Sequence, residues 1–333
     1  MADPTYTIVT TMKNEGPFIL EWIAFHRAIG FTGFTVFTND CDDGTDKIII
    51  RLQELGVATH VVNQLKPGQS PQRKALRRSR WHAETQASDW LMSADVDEFL
   101  MIRTGDGTLA ALMDKIGEID AISFCWKLFG NGRNEGYQPG FVTENFLWAA
   151  PENSYPSVQA AGIKTLVRNN EKFVRLRIHR PMVAEDATDL RWVDGGGQPL
   201  PPVYRTSRWS AHKGFSHEYA RLHHYAVRSI DSFLVKRDRG RTNHINADQG
   251  IDYWRAMNTN HEYDDSMLAR LPAAKQEYDR LIADPVLAEL HTAACTWHIA
   301  KIAELKAREG WPAFRNQIAQ IGMTPDSQEA TQG

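Results

Sequence analysis

Apolar and polar positions change period several times along the first hundred residues, and each change marks an element. Tyr6–Met12 (YTIVTTM) is rich in β-branched side chains and reads as a strand. The polar run Lys13-Asn14-Glu15-Gly16-Pro17 follows, and Pro17 suits the first turn of a helix with Asn14 or Glu15 near its cap. Phe18, Ile19, Trp22, Ile23, His26 and Ile29 then recur at helical spacing until Gly30 stops the helix. Residues 34–38 (FTVFT) predict a second strand, and Ile48, Ile49, Leu52 and Leu55 a second helix. Residues 57–62 form a third strand, Pro71 opens a long helix reaching about Gln86, and residues 90–94 form a fourth strand. Strands alternating with helices in this way predict an α/β fold whose parallel sheet is covered on both faces.

The second part departs from simple alternation. Residues 121–126 (AISFCW) read as another strand. Residues 129–136 form a glycine-rich loop, but no helix pattern follows, so it is not a phosphate-binding turn. Residues 164–168 and 173–179 look like paired strands, and a loop-rich stretch around residues 194–202 comes next. A strand over 219–225 ends in His224-Tyr225, and a helix carrying Ile230, Phe233 and Leu234 leads into Lys236, Arg237 and Arg239. From Ser266 the chain is helical. Between residues 287 and 305, Leu287, Leu290, Ala294, Trp297, Ile302 and Leu305 share a face about 140° wide, which is expected to pack on the core. The expected organisation is a core domain over 1–245, with a nucleotide half (1–120) and an acceptor half (121–245). A helical extension follows over 246–322, then a polar tail over 323–333 expected to be disordered.

Composition changes this picture little. With 333 residues and 42% hydrophobic content the chain can bury a sizeable core. A net charge of −3 gives no general drive toward nucleic acid. Cys41, Cys125 and Cys295 lie far apart, which suits neither a disulfide framework nor a cysteine metal site. A reducing cytoplasm is the expected compartment. No stretch of about 18 apolar residues predicts a membrane span, which leaves only peripheral contact at the inner face of a membrane.

The candidate chemistry lies where strands end. Ligands of parallel α/β sheets bind at the carboxyl ends of the strands. Asn14 and Glu15, the acidic turn 39–43, and Asp95-Val96-Asp97-Glu98 all fall at such ends. Asp95 and Asp97 are two apart, and close carboxylates repel unless a cation sits between them. A hard divalent ion with open positions for phosphate oxygens would suit them. Arg73, Lys74, Arg77, Arg78 and Arg80 on the helix from Pro71 read either as a solvated basic face or as a source of diphosphate contacts. The cluster His212, His217, His223 and His224 lacks metalloprotease spacing. Neither a dinucleotide-binding nor a P-loop signature is present.

Four stretches, in order, resemble the GT-A fold glycosyltransferases, and are most similar to the family 2-like group that shades into family 92. They are Met12–Glu15 with residues 21–30, residues 39–45, residues 95–100, and residues 224–229 with 236–240. The resemblance implies a metal-dependent transfer of sugar from a nucleotide-sugar donor, UDP-sugar favoured, to a saccharide or glycolipid acceptor. The metal would be Mn2+ or Mg2+, and the stereochemistry inverting. By motif, Thr11, Asn14 and Glu15 would lie near the nucleoside, and Asp40 or Asp42 would contact base or ribose. Asp95 would face ribose or metal, Asp97 would ligate the metal directly, and His224 would be the third ligand. Lys236 and Arg239 would flank the diphosphate. An inverting enzyme needs a base for the acceptor hydroxyl. Asp186, in Ala184-Glu185-Asp186, is the candidate, with Glu135 and Glu144 as rivals. A sugar-1-phosphate nucleotidyltransferase and an inactive sugar-nucleotide-binding relative are the alternatives. A phosphatase with Asp95 as nucleophile fits less well.

Overall fold

The computed structural model describes residues 3–152, 158–240 and 249–321. The tail over 323–333 lies outside them. Among the described residues nine strands form one sheet: β1 (Tyr6–Met12), β2 (Gly33–Thr38), β3 (Thr59–Val62), β4 (Trp90–Ser93), β5 (Glu98–Ile102), β6 (Ala121–Leu128), β7 (Ile163–Arg168), β8 (Trp192–Asp194) and β9 (Ala220–His224). Their order is β3-β2-β1-β4-β7-β6-β9-β5, with β8 beside the start of β6. The first four strands are mutually parallel, so their carboxyl ends share one rim. This is the α/β sheet expected from the alternating pattern.

Helices cover both faces. They are α1 (Gly16–Ala28), α2 (Thr45–Glu54), α3 (Pro71–Ser79), α4 (Ala83–Ala87), α5 (Leu109–Ile116), α6 (Ile230–Arg239), α7 (Ile251–Met257), α8 (Leu271–Ile282), α9 (Pro285–Ala307) and α10 (Trp311–Ile321). The pleat divides β1 between two cores. Ile8 and Met12 join the cluster around α1, while Val9 joins the one beneath α3 with Ala75 and Leu76. Gly16 through His26 of α1 are all buried. The reason is that α1 lies between the sheet and the C-terminal helices α8 and α9, and a helix apolar nearly all round needs such a place. Leu287, Ala294, Ile302 and Leu305 of α9 enter the same core, so the C-terminal helices share the core of the sheet domain.

Two expectations change. The helix from Pro71 is broken after Ser79 into α3 and α4. Residues 163–168 do not pair with 173–179. Strand β7 runs antiparallel between β4 and β6, and Phe173–Arg175 pairs outside the sheet with Met182–Val183. The burial explains the choice: Ile163 through Val167 are all buried and need cover on both faces, whereas Phe173–Arg175 are partly exposed.

Candidate active site

Asp95 and Asp97 sit in the turn between β4 and β5, not on a strand face. The turn closes with the Glu98 N–H donating to the Asp95 carbonyl at 3.0 Å. The Glu98 side chain, with no exposure, shapes it from inside. Its Oε2 accepts the Asp95 N–H at 2.8 Å, and its Oε1 accepts the indole N–H of Trp126 at 2.7 Å. The Lys164 ammonium from β7, also fully buried, lies 3.4 Å from Glu98 and 3.1 Å from Asp95. Burial raises the Glu98 carboxyl above its ordinary range, against the pull of Lys164. Gln72 of α3 donates to Asp95 Oδ1 at 2.6 Å. A Cβ on Gly162, just before β7, would fall 2.5 Å from a Trp126 ring atom, so this glycine lets the indole lie flat against the backbone.

Asp97 faces the other way. Its Oδ2 accepts from Lys236 Nζ at 2.5 Å, and its Oδ1 lies 3.6 Å from His224 Nε2. Burial raises its pKa, but Lys236 and His224, with Arg228, outweigh this and hold the carboxyl well below the usual range. Lys236 also donates to the Ala226 carbonyl at 2.6 Å. Beside it, Arg239 pairs with Glu15 and donates to the Lys13 carbonyl at 2.7 Å. Arg228 holds the second Glu15 oxygen at 3.2 Å.

A cleft of about 530 Å³ opens beside these groups at the carboxyl rim of the sheet. Thr11, Glu15, Asp95, Asp97, His224, Lys236 and Arg239 of the sequence-derived candidates line it. The remaining proposed contacts do not. Asn14 and Asp40 take left-handed conformations (φ 52° and 46°), which Asn and Asp tolerate better than most residues. Asn14 spends both polar atoms on Asp42, accepting its N–H at 2.8 Å and donating to its carboxylate at 3.3 Å. The pair joins two loops behind the rim. Asp186 is exposed, and no part of it lines the cleft. Glu135 and Glu144 are tied to Arg315 and Lys275, each at 2.9 Å.

Sequence reasoning gave no part to Lys164, Gln72 or Asp252, and named Glu98 only as a member of the acidic stretch. A lysine inside the apolar run 163–167 was the available signal for the first. Asp252 of α7 also faces the cleft, with its side chain fully open to solvent and Arg255 3.5 Å away. The conspicuous Glu21-Trp22…His26 pattern is structural. Glu21 caps residues 142–143, accepting the Val142 N–H at 2.6 Å, the Thr143 N–H at 2.9 Å and the Thr143 hydroxyl at 2.7 Å. Trp22 donates its indole N–H to the Glu98 carbonyl at 2.9 Å.

Asp95, Asp97 and His224 do not gather into a three-ligand metal site. Among the described residues, the group of three converging acids is Glu152, Glu262 and Asp264. There the Lys127 ammonium already stands between them, at 3.2, 2.8 and 2.5 Å, so that cluster is an ion-pair network with its own cation.

A parallel sheet with an acidic turn and facing cations at its rim is the architecture of a GT-A glycosyltransferase. The model of glycosyltransferase family 92 matches residues 9–194, more than half of the chain. The chain belongs to glycosyltransferase family 92. It is similar to family members from Ricinus communis (29% identical over 100 residues, 29% of this chain and 17% of that one) and Oryza sativa subsp. japonica (26% over 152 residues, 44% and 25%). These matches thus span a quarter or less of the relatives' length. Among solved structures it is similar to S. aureus TarS (TM-score 0.33, 11% identity, 50% of this chain and 28% of that one). Another is glucosyl-3-phosphoglycerate synthase from Mycobacterium tuberculosis, in complex with Mn2+, UDP and glucosyl-3-phosphoglycerate (TM-score 0.28, 17% identity, 50% and 57%). At these scores the likeness says nothing of donor or acceptor. Among the described residues no helix is long and apolar enough to cross a membrane.

Proposed function

We propose that the chain transfers a sugar from a nucleotide-sugar donor, UDP-sugar favoured, to a hydroxyl of a saccharide or glycolipid acceptor, with inversion and with Mn2+ or Mg2+ bound. The observation that carries this reading is Asp97, a buried carboxylate kept charged at the carboxyl rim between a lysine and a histidine. Asp97 Oδ1 and His224 Nε2 lie 3.6 Å apart, against about 3 Å for neighbouring ligands of a six-coordinate ion. His224 Nδ1 is buried without a partner among the described residues, so no hydrogen bond on that side holds the ring in its present orientation. A carboxylate with an imidazole suits Mn2+. Asp97 and His224 would hold the ion, and Asp95 would stay with Gln72 and Lys164. Bound there, the ion would offset the charge that develops on the leaving diphosphate.

The chain's own residues supply the rest. Lys236 and Arg239 present cations in place beforehand to the same diphosphate. The Thr11 hydroxyl and Gln249 Oε1 are buried, face the cleft and lack partners among the described residues. They are available to a nucleoside. Of the four carboxylates that line the cleft among the described residues, Glu15, Asp95 and Asp97 are each held by a buried cation, and the fourth, Asp252, is the one we assign as the base in place of Asp186. The acceptor oxygen bonds to the anomeric carbon as the bond to the diphosphate oxygen breaks, and the hydroxyl proton passes to Asp252.

Two measurements test this. In thermal melts, UDP with Mn2+ is expected to raise the melting temperature, since a ligand at a hundred times its Kd stabilises by about 2.7 kcal/mol. No rise with UDP-, GDP-, CMP- or dTDP-sugars, with or without Mn2+, and no EDTA-sensitive donor hydrolysis, would sink the reading. Separately, Asp252→Asn is expected to slow sugar transfer about a hundredfold with UDP affinity unchanged. Undiminished transfer in that variant would remove Asp252 from the mechanism.

A further inference from the structure

A second and larger groove, about 750 Å³, opens beside the cleft. Arg73, Lys74 and Arg77 of α3 form one wall. Arg175, Arg177 and Arg180 form the other. No carboxylate lines it among the described residues, and none of these six cations has a carboxylate ion-pair partner there. The buried cations Lys127, Lys164, Lys236 and Arg239, by contrast, all have such partners. Lys74 is anchored by Gln69 Oε1 at 3.0 Å, and Arg180 by the Arg205 carbonyl at 3.2 Å. Arg73, Arg77 and Arg177 are exposed. Six like charges around one concavity repel one another and favour an anion among them. Burial, and secondarily the neighbouring Arg177, lower the Arg180 guanidinium from its ordinary value.

The groove and the cleft share a wall made of Ile178, His179 and Trp209. Trp209 is half-buried and lies against the His179 ring, centroids 5.1 Å apart. The His179 Nδ1–H donates to the Ile163 carbonyl at 3.0 Å, which fixes the ring that backs the indole. An aromatic face at this junction offers an apolar platform for one sugar ring.

We propose that the groove is an acceptor subsite for an anionic glycan. Its carboxylate or phosphate groups would meet the arginines, while the sugar next to the reacting hydroxyl lies on Trp209. The inference rests on the cleft being the transfer site. The groove leads into that cleft, which favours a glycan segment over a flat lipid surface or a nucleic acid. The diphosphate of the donor has its own cations, Lys236 and Arg239, across the cleft.

The test uses the full chain in calorimetry, with decagalacturonate and inorganic tripolyphosphate as carboxylate and phosphate probes and maltodecaose as the neutral control. Decagalacturonate is expected to bind and maltodecaose not. Affinity for decagalacturonate should fall at least tenfold in Arg73→Ala/Arg177→Ala, whose positions are exposed, while UDP affinity with Mn2+ stays within twofold. Tripolyphosphate bound as tightly as decagalacturonate marks phosphate-bearing glycans as the class. Failure of both anions to bind, equal binding of maltodecaose, or unchanged affinity in the double variant would overturn the proposal. So would weaker UDP binding in that variant, or tighter binding of a single-stranded DNA decamer or phosphatidylserine vesicles. Decagalacturonate binding without any nucleotide binding would instead count against the cleft reading alone.

Discussion

Asp97→Asn is expected to lower kcat/KM for sugar transfer by about 10³, which corresponds to about 4 kcal/mol of lost transition-state stabilisation. Asparagine keeps the size of the side chain and can still accept from Lys236 through its amide oxygen, so the turn should survive. What disappears is the charge that Lys236 and His224 hold in the ionised form. If Asp97 ligates a metal, the stabilisation that Mn2+ gives to the UDP complex in thermal melts should vanish with activity. The companion variant Lys236→Met separates the two ways in which the site can offset a diphosphate. With a metal on Asp97 and His224, Lys236→Met should retain an EDTA-sensitive residue of activity. Complete loss in Lys236→Met, together with activity of the parent chain in EDTA, would assign the cation's role to the lysine and exclude the metal. Full transfer activity in Asp97→Asn would place the chemistry elsewhere.

Much of the rim was legible because its signals are local. A β-branched run, a proline at a helix start and an acidic turn each declare themselves within a few residues. The parallel order then brings Thr11, Glu15 and Asp97 to one edge. Lys236 and Arg239 were legible as a cationic stretch that could meet a diphosphate, whereas the particular role given to His224 came through resemblance, since nothing near it in sequence tells which face of the sheet it serves. The failures share a physical cause. Asn14, Asp40 and Asp42 are polar groups at a strand end, and such groups serve loop closure as readily as ligand binding. Here Asn14 and Asp42 hydrogen-bond to each other across the two loops. Strand β7 was given the wrong neighbour because a hairpin is the nearest partner in sequence, whereas the long-range pairing with β4 and β6 buries both of its faces. The basic face of α3 was ambiguous by itself. It became a groove only when Arg175 and Arg177, a hundred residues away, were folded opposite it.

The same long-range pairing makes Lys164 a sensitive position for stability. Above the raised Glu98 pKa of about 8, where the carboxyl is ionised, Lys164→Met is expected to cost about 3–5 kcal/mol, because it strands a carboxylate with no exposure. Glu98 would then have to take up a proton or keep an unpaired charge. Either outcome loosens the hydrogen bonds to the Asp95 N–H and the Trp126 indole that shape the acidic turn. Urea unfolding should show the loss as a lower midpoint. The double variant Lys164→Met/Glu98→Gln should recover part of it, since removing both charges leaves no stranded ion. A coupling of roughly 1–3 kcal/mol between the two positions is the expected result of the cycle. Strict additivity would mean that the pair does not act as a unit, and that the turn is held by its hydrogen bonds alone. Donor affinity gives an independent reading, because Lys164 also holds Asp95. If the double variant regains stability but still binds UDP weakly, the remaining defect belongs to Asp95, released from its cation. If it regains both, the turn keeps its shape without either charge, and the buried pair contributes to folding more than to the site.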